Sequence, residues 1–143
     1  MRHVYQESER GCGQACVAMI AELDFDTACD LVGHRRATRT RDLVTALRAV
    51  GVECADKLER VKKDTEWPNT CILKIWWLNK NGVRKNHSHW MVYHDGLLHD
   101  PGSQWGPVSY ECFSTSKPEG NATPYSNGRI TSYLRIDREI SST

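Results

Sequence analysis

The chain has 143 residues and a mass of 16.3 kDa, the length of one domain and enough to bury a hydrophobic core without disulfide bonds. Hydrophobic residues make up 39% and charged residues 26%, which excludes a disordered tail and a fibrous protein. With 19 Lys and Arg against 18 Asp and Glu, the formal net charge of +1 lacks the basic excess of a general nucleic-acid-binding protein. No apolar run approaches the roughly 20 residues of a membrane span. We therefore expect a single domain over residues 1–143, with no nucleic-acid partner and no membrane span.

The sequence contains six cysteines, and the compartment decides what they can do. Residues Met1 to Arg10 are charged and polar and lack the apolar segment of a signal peptide, so we expect a cytoplasmic protein. Thiols stay reduced there, which makes a disulfide framework the weaker interpretation. The cysteines are then core residues, metal ligands or a catalytic thiolate.

The first part of the chain predicts three helices. Apolar residues recur at three- and four-residue steps from Gly11 to Leu23, as on one face of a helix. A second helix is expected over about Asp26 to Val32, because Gly33 follows as a stop. Thr40 is the predicted N-cap of a third helix, and Gly51 is its C-terminal stop.

The second part predicts strands, with a hairpin among them. Residues 71–78 form a strand-like apolar run, followed by a polar turn or loop over residues 79–88. Two further runs, at 90–93 and 97–98, flank the dipeptide Asp95-Gly96. Asp-Gly between two such runs is a strong signal for a hairpin with a two-residue turn.

The last part predicts more of the same sheet. Further strands are expected within residues 107–113 and 130–136, separated by a loop rich in Ser, Pro, Gly and Asn. Helices followed by strands predict an α+β domain, with the N-terminal helices packed on an antiparallel sheet.

Cys12 is the first candidate for a chemical role. It stands at the N-terminal end of the first predicted helix, where unpaired backbone N–H groups and the helix dipole favour a thiolate. Gly11 and Gly13 on either side leave it sterically open. Cys16, one turn further, is expected to be a small buried core residue. No specific task is expected for the remaining cysteines: Cys29, Cys54, Cys71 and Cys112.

The predicted hairpin brings His89 and Asp100 together. If Asp95-Gly96 is the turn, His89 and Asp100 are diagonal neighbours on one face of the sheet. Their Cβ atoms are then up to about 7–8 Å apart, a gap that two polar side chains can bridge. The same register puts His94 and His99 on the opposite face, and a slip of one residue would reverse the assignment. His89 is therefore the expected base, and Asp100 the carboxylate that orients it.

Gln6 supplies the remaining part of the constellation. Its side-chain amide, six residues before Cys12, is placed to join the Cys12 backbone N–H in stabilising an oxyanion. A thiolate at a helix N-terminus, an imidazole that pairs with it and a carboxylate that fixes the imidazole tautomer are the components of nucleophilic catalysis by cysteine.

Several motifs in the chain resemble those of one family of enzymes. They read Gln6-x5-Cys12-Gly13-x-Ala15-Cys16-x-Ala18-Met19-Ile20, Asp42-Leu43-x2-Ala46-Leu47-x2-Val50-Gly51, His89-Trp90-Met91-Val92 and Asp100-Pro101. Over roughly Gln6 to Pro101, the chain resembles the papain-like cysteine peptidases that remove double-glycine leaders from bacteriocins, in a free-standing form of bacterial or phage origin.

The resemblance implies a role for each residue and a class of substrate. Cys12 would be the nucleophile, His89 the general base and acid, Asp100 the orienting carboxylate, and Gln6 an oxyanion donor. It also implies a papain-like cysteine peptidase fold, a peptide or protein substrate cleaved at a peptide or isopeptide bond, and no cofactor or metal.

Two other interpretations remain open. The first is a peptide-binding module of the same fold without turnover, although a pure binder has no chemical need for the whole constellation. The second is a zinc site, whose ligands would be Cys12, Cys16, His87 and His89. Zinc is less favoured, because the cysteines would lie on a helix and the histidines along a strand, without the tight turns of closed zinc sites.

Four arginines cluster around the start of the third predicted helix: Arg35, Arg36, Arg39 and Arg41. We expect a solvated loop there, which is also able to meet an acidic partner. The sequence leaves the substrate, the cleavage site and the oligomeric state open.

Overall fold

The fold begins with helices and ends in a sheet. The structure, a computed structural model, describes residues 1–78, 84–104, 106–109 and 128–138. These residues form three helices and then seven strands. In chain order they are α1 (Cys12–Ala21), α2 (Phe25–Val32), α3 (Thr40–Ala49), β1 (Glu53–Cys54), β2 (Glu59–Arg60), β3 (Thr70–Leu78), β4 (Arg84–His94), β5 (Leu97–His99), β6 (Val108–Ser109) and β7 (Gly128–Arg138).

The first two helices lie where the sequence predicts them. Helix α1 is buried along its whole length and ends at Glu22, which adopts a positive φ of 59°. At the start of α2, the Asp24 carboxylate accepts a hydrogen bond of 2.7 Å from the Thr27 N–H. Gly33, with φ of 98°, ends α2 as predicted.

The start of α3 differs from the prediction by one residue. Thr40 is the first helical residue, and Arg39 is the N-cap. The Asp42 carboxylate accepts a hydrogen bond of 2.8 Å from the Arg39 N–H, so the helix end is closed without a threonine cap. Gly51 follows the helix with a positive φ of 86°, as predicted.

The predicted hairpin is confirmed. Asp95 and Gly96 adopt φ values of 49° and 83°, the positive values that a two-residue turn between twisted strands requires. The register pairs His94 with Leu97, which is the one derived from the sequence. The hairpin therefore places His99, the last residue of β5, beside Val92 of β4.

The structure adds strand residues that the sequence does not predict. Strand β4 begins at Arg84, within the segment expected to be a loop, because it continues to pair with β3 as far as Leu78. Residues 79–83 lie outside the described part of the chain. Strands β1 and β2 have two residues each, too few for an alternating pattern, and both form by pairing with β7.

The sheet is antiparallel throughout its described pairs. Strand β6 lies within the predicted segment 107–113, and β7 extends beyond both ends of the predicted segment 130–136. Residues 110–127 lie outside the described part of the chain. The strand order is β1-β7-β3-β4-β5-β6, and β2 also pairs with β7. The described chain is thus an α+β structure with three helices packed on an antiparallel sheet, as expected.

Successive residues of a strand point to opposite faces of the sheet, and apolar residues are buried on both faces. The face that packs against the helices includes Ile72, Trp90, Val92, Leu134 and Ile136. The other face forms a second cluster that includes Cys71, Leu73, Ile75, Met91 and Leu98. Helix α1 contacts β4, and this contact positions the candidate site. In the part of the chain that the structure describes, none of the helices is long and apolar enough to cross a membrane.

Candidate active site

Cys12 is the first residue of α1. Its N-cap is Gly11, which has no side chain to bond the N–H groups of the first turn, and that turn carries no acidic residue. The thiol therefore lies at the positive end of the helix dipole. Only 8% of Cys12 is exposed, so the residue is largely shielded from water.

His89 is paired with Asp100, as the hairpin register predicts. His89 Nε2 donates to Asp100 Oδ1 over 2.6 Å, and the two side chains are 17% and 9% exposed. The same Oδ1 accepts a hydrogen bond of 2.8 Å from the Gly102 N–H, which holds the carboxylate in the turn after β5. A carboxylate on Nε2 fixes the tautomer and leaves Nδ1 for another partner.

That other partner is the thiol of Cys12. The Cys12 thiol is close enough to raise the pKa of the imidazole, and because Asp100 occupies Nε2, Nδ1 is the ring nitrogen left for the sulfur. Burial by itself would lower the pKa of His89, but the interactions with Asp100 and Cys12 outweigh it and raise the pKa to about 9. The raised pKa favours the imidazolium, the form of the ring that holds a proton for a leaving group.

The other described cysteines have the environment expected of core residues. Cys16 is fully buried, and burial raises the pKa of its thiol, with the nearby Cys12 and Asp100 adding to the effect. A protonated, buried thiol is chemically inert. The remaining described cysteines are also free and buried: Cys29, Cys54 and Cys71. Cys112 lies outside the described residues.

Gln6 lies near the site, but its amide is engaged elsewhere. Its backbone N–H donates to Pro101 O at 2.8 Å, which ties it to the turn that holds the carboxylate. Its Nε2 donates to the carbonyls of Ser8 and Glu9 at 3.1 and 3.0 Å. Its buried Oε1 has no hydrogen-bond partner among the described residues. Both amide protons are committed in this conformation, so the role as oxyanion donor stays a prediction that requires the amide to turn.

The ligands proposed for zinc are not assembled in the described structure. Among the described residues, no group of three or more His, Cys, Asp or Glu side chains could hold a metal ion. The side chain of His87 lies outside the described part. His94 Nδ1 is hydrogen-bonded to the Thr70 hydroxyl at 2.7 Å, and His99 stacks on His3. The other described histidines of the hairpin thus have partners different from those of His89.

Gln14 has a structural role in positioning the start of α1. It is fully buried in α1, two residues after Cys12, and its Nε2 donates to the carbonyls of His34 and Arg36 at 2.9 and 2.8 Å. The sequence signal for this role is the presence of one polar residue in an otherwise apolar stretch of helix. Gln14 holds the loop before α3 against the start of α1.

Thr38 contacts the site from the same loop. A Cβ atom on Gly13 would overlap Thr38 Oγ1, so glycine is needed there for close packing. The indole N–H of Trp90 donates to Thr38 O at 3.4 Å. Thr38 therefore touches the residue after Cys12 and the residue after His89, a position that no local pattern in the sequence indicates.

No protein-family model matches the chain, and a search of curated proteins likewise gives no match. The assignment of function therefore depends on the geometry of three side chains, those of Cys12, His89 and Asp100.

Proposed function

We propose that the protein is a thiol hydrolase, a cysteine peptidase of papain-like fold that cleaves a peptide or isopeptide bond. Cys12 is the nucleophile, His89 the general acid and base, and Asp100 the residue that positions the imidazole. One observation carries the proposal. The imidazole of His89 lies 2.6 Å from Asp100 Oδ1, and its pKa is raised by the nearby thiol of Cys12, the first residue of α1.

The first half of the proposed reaction is acylation. The Cys12 thiolate forms a C–S bond with the carbonyl carbon, and the π electrons of the carbonyl move onto its oxygen. The backbone N–H of Cys12, at a helix start where such groups lack helical partners, donates to that oxygen. Gln6 is the proposed second donor once its amide turns. The C–N bond then breaks as His89 Nδ1 gives its proton to the leaving amine.

The second half is hydrolysis of the thioester. Neutral His89 takes a proton from water through Nδ1, and the hydroxide forms a C–O bond with the acyl carbon. The C–S bond breaks, which restores the thiolate of Cys12 and the imidazolium of His89. The Asp100 carboxylate keeps the ring in place through Nε2 in both halves.

A second candidate function is a peptide-binding module of the same fold without turnover. The engagement of Gln6 Nε2 with the carbonyls of Ser8 and Glu9 favours it, because the oxyanion then lacks a side-chain donor. Against it, the pairing of His89 with both a carboxylate and a thiol has a use in catalysis and none in binding alone. We therefore place hydrolysis first.

The five free thiols described by the structure support a reducing compartment, and we propose a cytoplasmic location on that ground. The proposed substrate is a peptide or protein, and the proposed chemistry uses no cofactor or metal, since the nucleophile, acid and positioning carboxylate are all side chains.

The test uses an activated ester, which needs no knowledge of the natural substrate. The purified protein is mixed with an N-acylglycine p-nitrophenyl ester, and nitrophenol release and the mass of the protein are followed together. We expect a burst, an acyl group on Cys12 and then steady turnover. Cys12→Ala should lose all three signals, and His89→Ala should lose turnover.

Cys54→Ala and His94→Ala are the matched controls, because each removes the same kind of side chain outside the site. Both should retain the burst and the turnover. Acylation of Cys12 without steady turnover would support the binding module instead. Acylation at another cysteine, or turnover that survives in His89→Ala, would contradict the proposal.

A further inference from the structure

A basic loop borders the candidate active site. We use this name for residues 34–39, which include three arginines, and Gln14 fastens the loop to the start of α1. Its Nε2 bonds the carbonyls of His34 and Arg36 at 2.9 and 2.8 Å. On the other side, the Ser8 hydroxyl donates to the carbonyl of Arg35 at 3.5 Å. The backbone of the loop is thus attached to the helix that carries the nucleophile.

Thr38 brings the loop against both catalytic elements. It packs on Gly13, the residue after the nucleophile, and its carbonyl accepts the indole N–H of Trp90, the residue after His89. Arg39 follows Thr38 directly and Arg36 precedes it by two residues, so their Cα atoms lie within about 4 and 7 Å of that of Thr38. The backbone that carries both arginine side chains therefore lies next to the candidate active site.

Two of the three arginines have no carboxylate partner in the described part of the chain. Arg35 is paired with Asp26 at 2.7 Å. Arg36 and Arg39 are exposed, and neither side chain pairs with a described carboxylate. The nearby Asp42 is bonded to the Arg39 backbone N–H at 2.8 Å. The loop thus presents two guanidinium groups to solvent.

Lys74 adds a cation on the sheet side. It pairs opposite Trp90 in the sheet, and its Nζ lies 5.2 Å from the centroid of that ring and 5.3 Å from the ring of Trp76. Because the same Trp90 indole bonds the basic loop, Lys74 and the loop share this neighbour. The Lys74 cation and the backbone of the basic loop therefore both contact Trp90.

We propose that the basic loop binds an acidic segment of the substrate, so that the enzyme acts on peptides or proteins with Asp or Glu close to the scissile bond. The inference rests on the proposed function, since it assigns the substrate of that same site. Guanidinium groups pair with carboxylates in a two-point geometry, which gives selectivity as well as affinity. A peptide is favoured over a nucleic acid because the loop borders a thiol, which attacks carbonyl carbon, and because the chain's net charge is only +1.

The experiment compares two peptidyl chloromethyl ketones that differ only in having two Glu or two Lys residues before the reactive end. The Cys12 thiolate attacks the chloromethyl carbon, a C–S bond forms and chloride leaves, so the labelled mass identifies the site. An exposed ion pair changes affinity by roughly 1.4- to 5-fold, so two pairs predict a roughly 2- to 25-fold preference for the acidic probe. The preference should shrink as salt rises from about 0.05 to 0.5 M.

The decisive variant is the double substitution Arg36→Gln and Arg39→Gln, which keeps long polar side chains. The preference for the acidic probe should fall by the same factor of roughly 2 to 25, to equal labelling. Arg60→Gln with Lys63→Gln removes the same charge at exposed positions in and after β2 and should leave the preference unchanged. The salt series on the wild-type chain tests, without any variant, whether electrostatic attraction causes the preference for the acidic probe.

The outcomes separate this inference from the function on which it rests. Labelling of Cys12 by both probes at equal rates, or a preference that survives in the double variant, overturns the acidic-substrate inference alone. Failure of both probes to label Cys12 overturns the proposed function with it. If the double variant loses binding of a DNA oligonucleotide while the probe preference stays unchanged, the loop is a nucleic-acid surface and the inference is wrong.

Discussion

Two histidines of one hairpin have opposite environments. His89 on β4 meets a carboxylate and a thiol, and these contacts raise its pKa to about 9 despite burial. His99 at the end of β5 is 2% exposed and stacks on His3 with ring centroids 5.6 Å apart. Burial, with contributions from the nearby His3, His94 and N-terminal amine, lowers its pKa to about 4. The hairpin thus raises the pKa of His89 and lowers that of His99.

The difference shows that a neighbour's charge, and not burial, decides which histidine can act as an acid. Both rings are shielded from water, but His99 Nδ1 has no hydrogen-bond partner among the described residues. Asp100, the residue next to His99, serves His89 instead, as expected for consecutive residues that point to opposite sides of a strand. We therefore expect His89 to matter for chemistry and His99 for stability.

The largest expected effect comes from replacing each histidine in turn. His89→Gln removes the acid and base and should lower kcat/KM for ester hydrolysis by about 10²- to 10⁴-fold. His99→Phe keeps a stacked ring without a titrating nitrogen, and its activity should stay within about threefold of wild type where both are folded. Ester kinetics and circular dichroism on both variants check this. Equal losses of activity would remove the distinction between the two histidines.

Replacing Gln6 tests whether the N-terminal segment takes part in catalysis or only supports the structure around the stacked His3 and His99 rings. His3 and Gln6 both reach the turn after β5, where Gln6 N–H bonds Pro101 O at 2.8 Å. If its amide turns to the oxyanion, Gln6→Ala should lower kcat by about 10²- to 10³-fold. If the amide only holds the carbonyls of Ser8 and Glu9, the variant should lose about 1 kcal/mol of stability and keep its kcat. Ester turnover and urea unfolding on the same sample separate the two outcomes.

The pH dependence of activity isolates the raised pKa of His89. The leaving amine takes its proton from the imidazolium, which is present below the pKa and lost as pH rises through about 9. The kcat/KM for an N-acylglycine p-nitroanilide should therefore fall above about pH 9. Asp100→Asn weakens the bond that raises this pKa, so the fall should move to lower pH, whereas His99→Phe should leave it in place. If kcat/KM falls at the same pH in Asp100→Asn as in the wild type, the assigned pairing of His89 with Asp100 is contradicted.

The smallest expected effect is on thermal stability in acid. The folded state favours the neutral form of His99. Its contribution to the free energy of unfolding is therefore present above the unfolded pKa of 6.5 and is lost as pH falls towards about 4. The thermal midpoint of the wild type should fall by roughly 5 °C more over this range than that of His99→Phe. His89 acts in the opposite direction, since its contribution is present below 6.5 and lost as pH rises through about 9. Parallel acid profiles for wild type and His99→Phe would show that His99 is not buried neutral.

Features that depend on neighbouring residues could be predicted from the sequence. Asp95-Gly96 accepts the positive φ values of a tight turn, and the turn sets the register that places His89 beside Asp100. The helix stop at Gly33 is local in the same way. The α3 start was wrong by one residue because the bond between Asp42 and the Arg39 N–H, rather than a threonine cap, closes that end.

Features that depend on distant pairing could not be predicted. Two-residue strands such as β1 and β2 carry no periodic pattern and exist because β7 pairs with them. The extension of β4 back to Arg84 likewise depends on β3. Thr38 has an ordinary loop sequence, and its contacts with Gly13 and Trp90 arise only when α1 packs on the sheet.

The sequence by itself determined that six cysteines are present, that one of them begins a helix between two glycines, and that His89 and Asp100 meet across a hairpin. Only the tertiary structure decided that α1 and β4 pack so that this thiol reaches the imidazole, and that Gln6 bonds Ser8 and Glu9. It also decided the directions in which the pKa values of His89 and His99 are shifted. The physical reason is that turns and helix ends follow from neighbouring backbone conformations, whereas burial and charge at a site are summed over residues far apart in the chain.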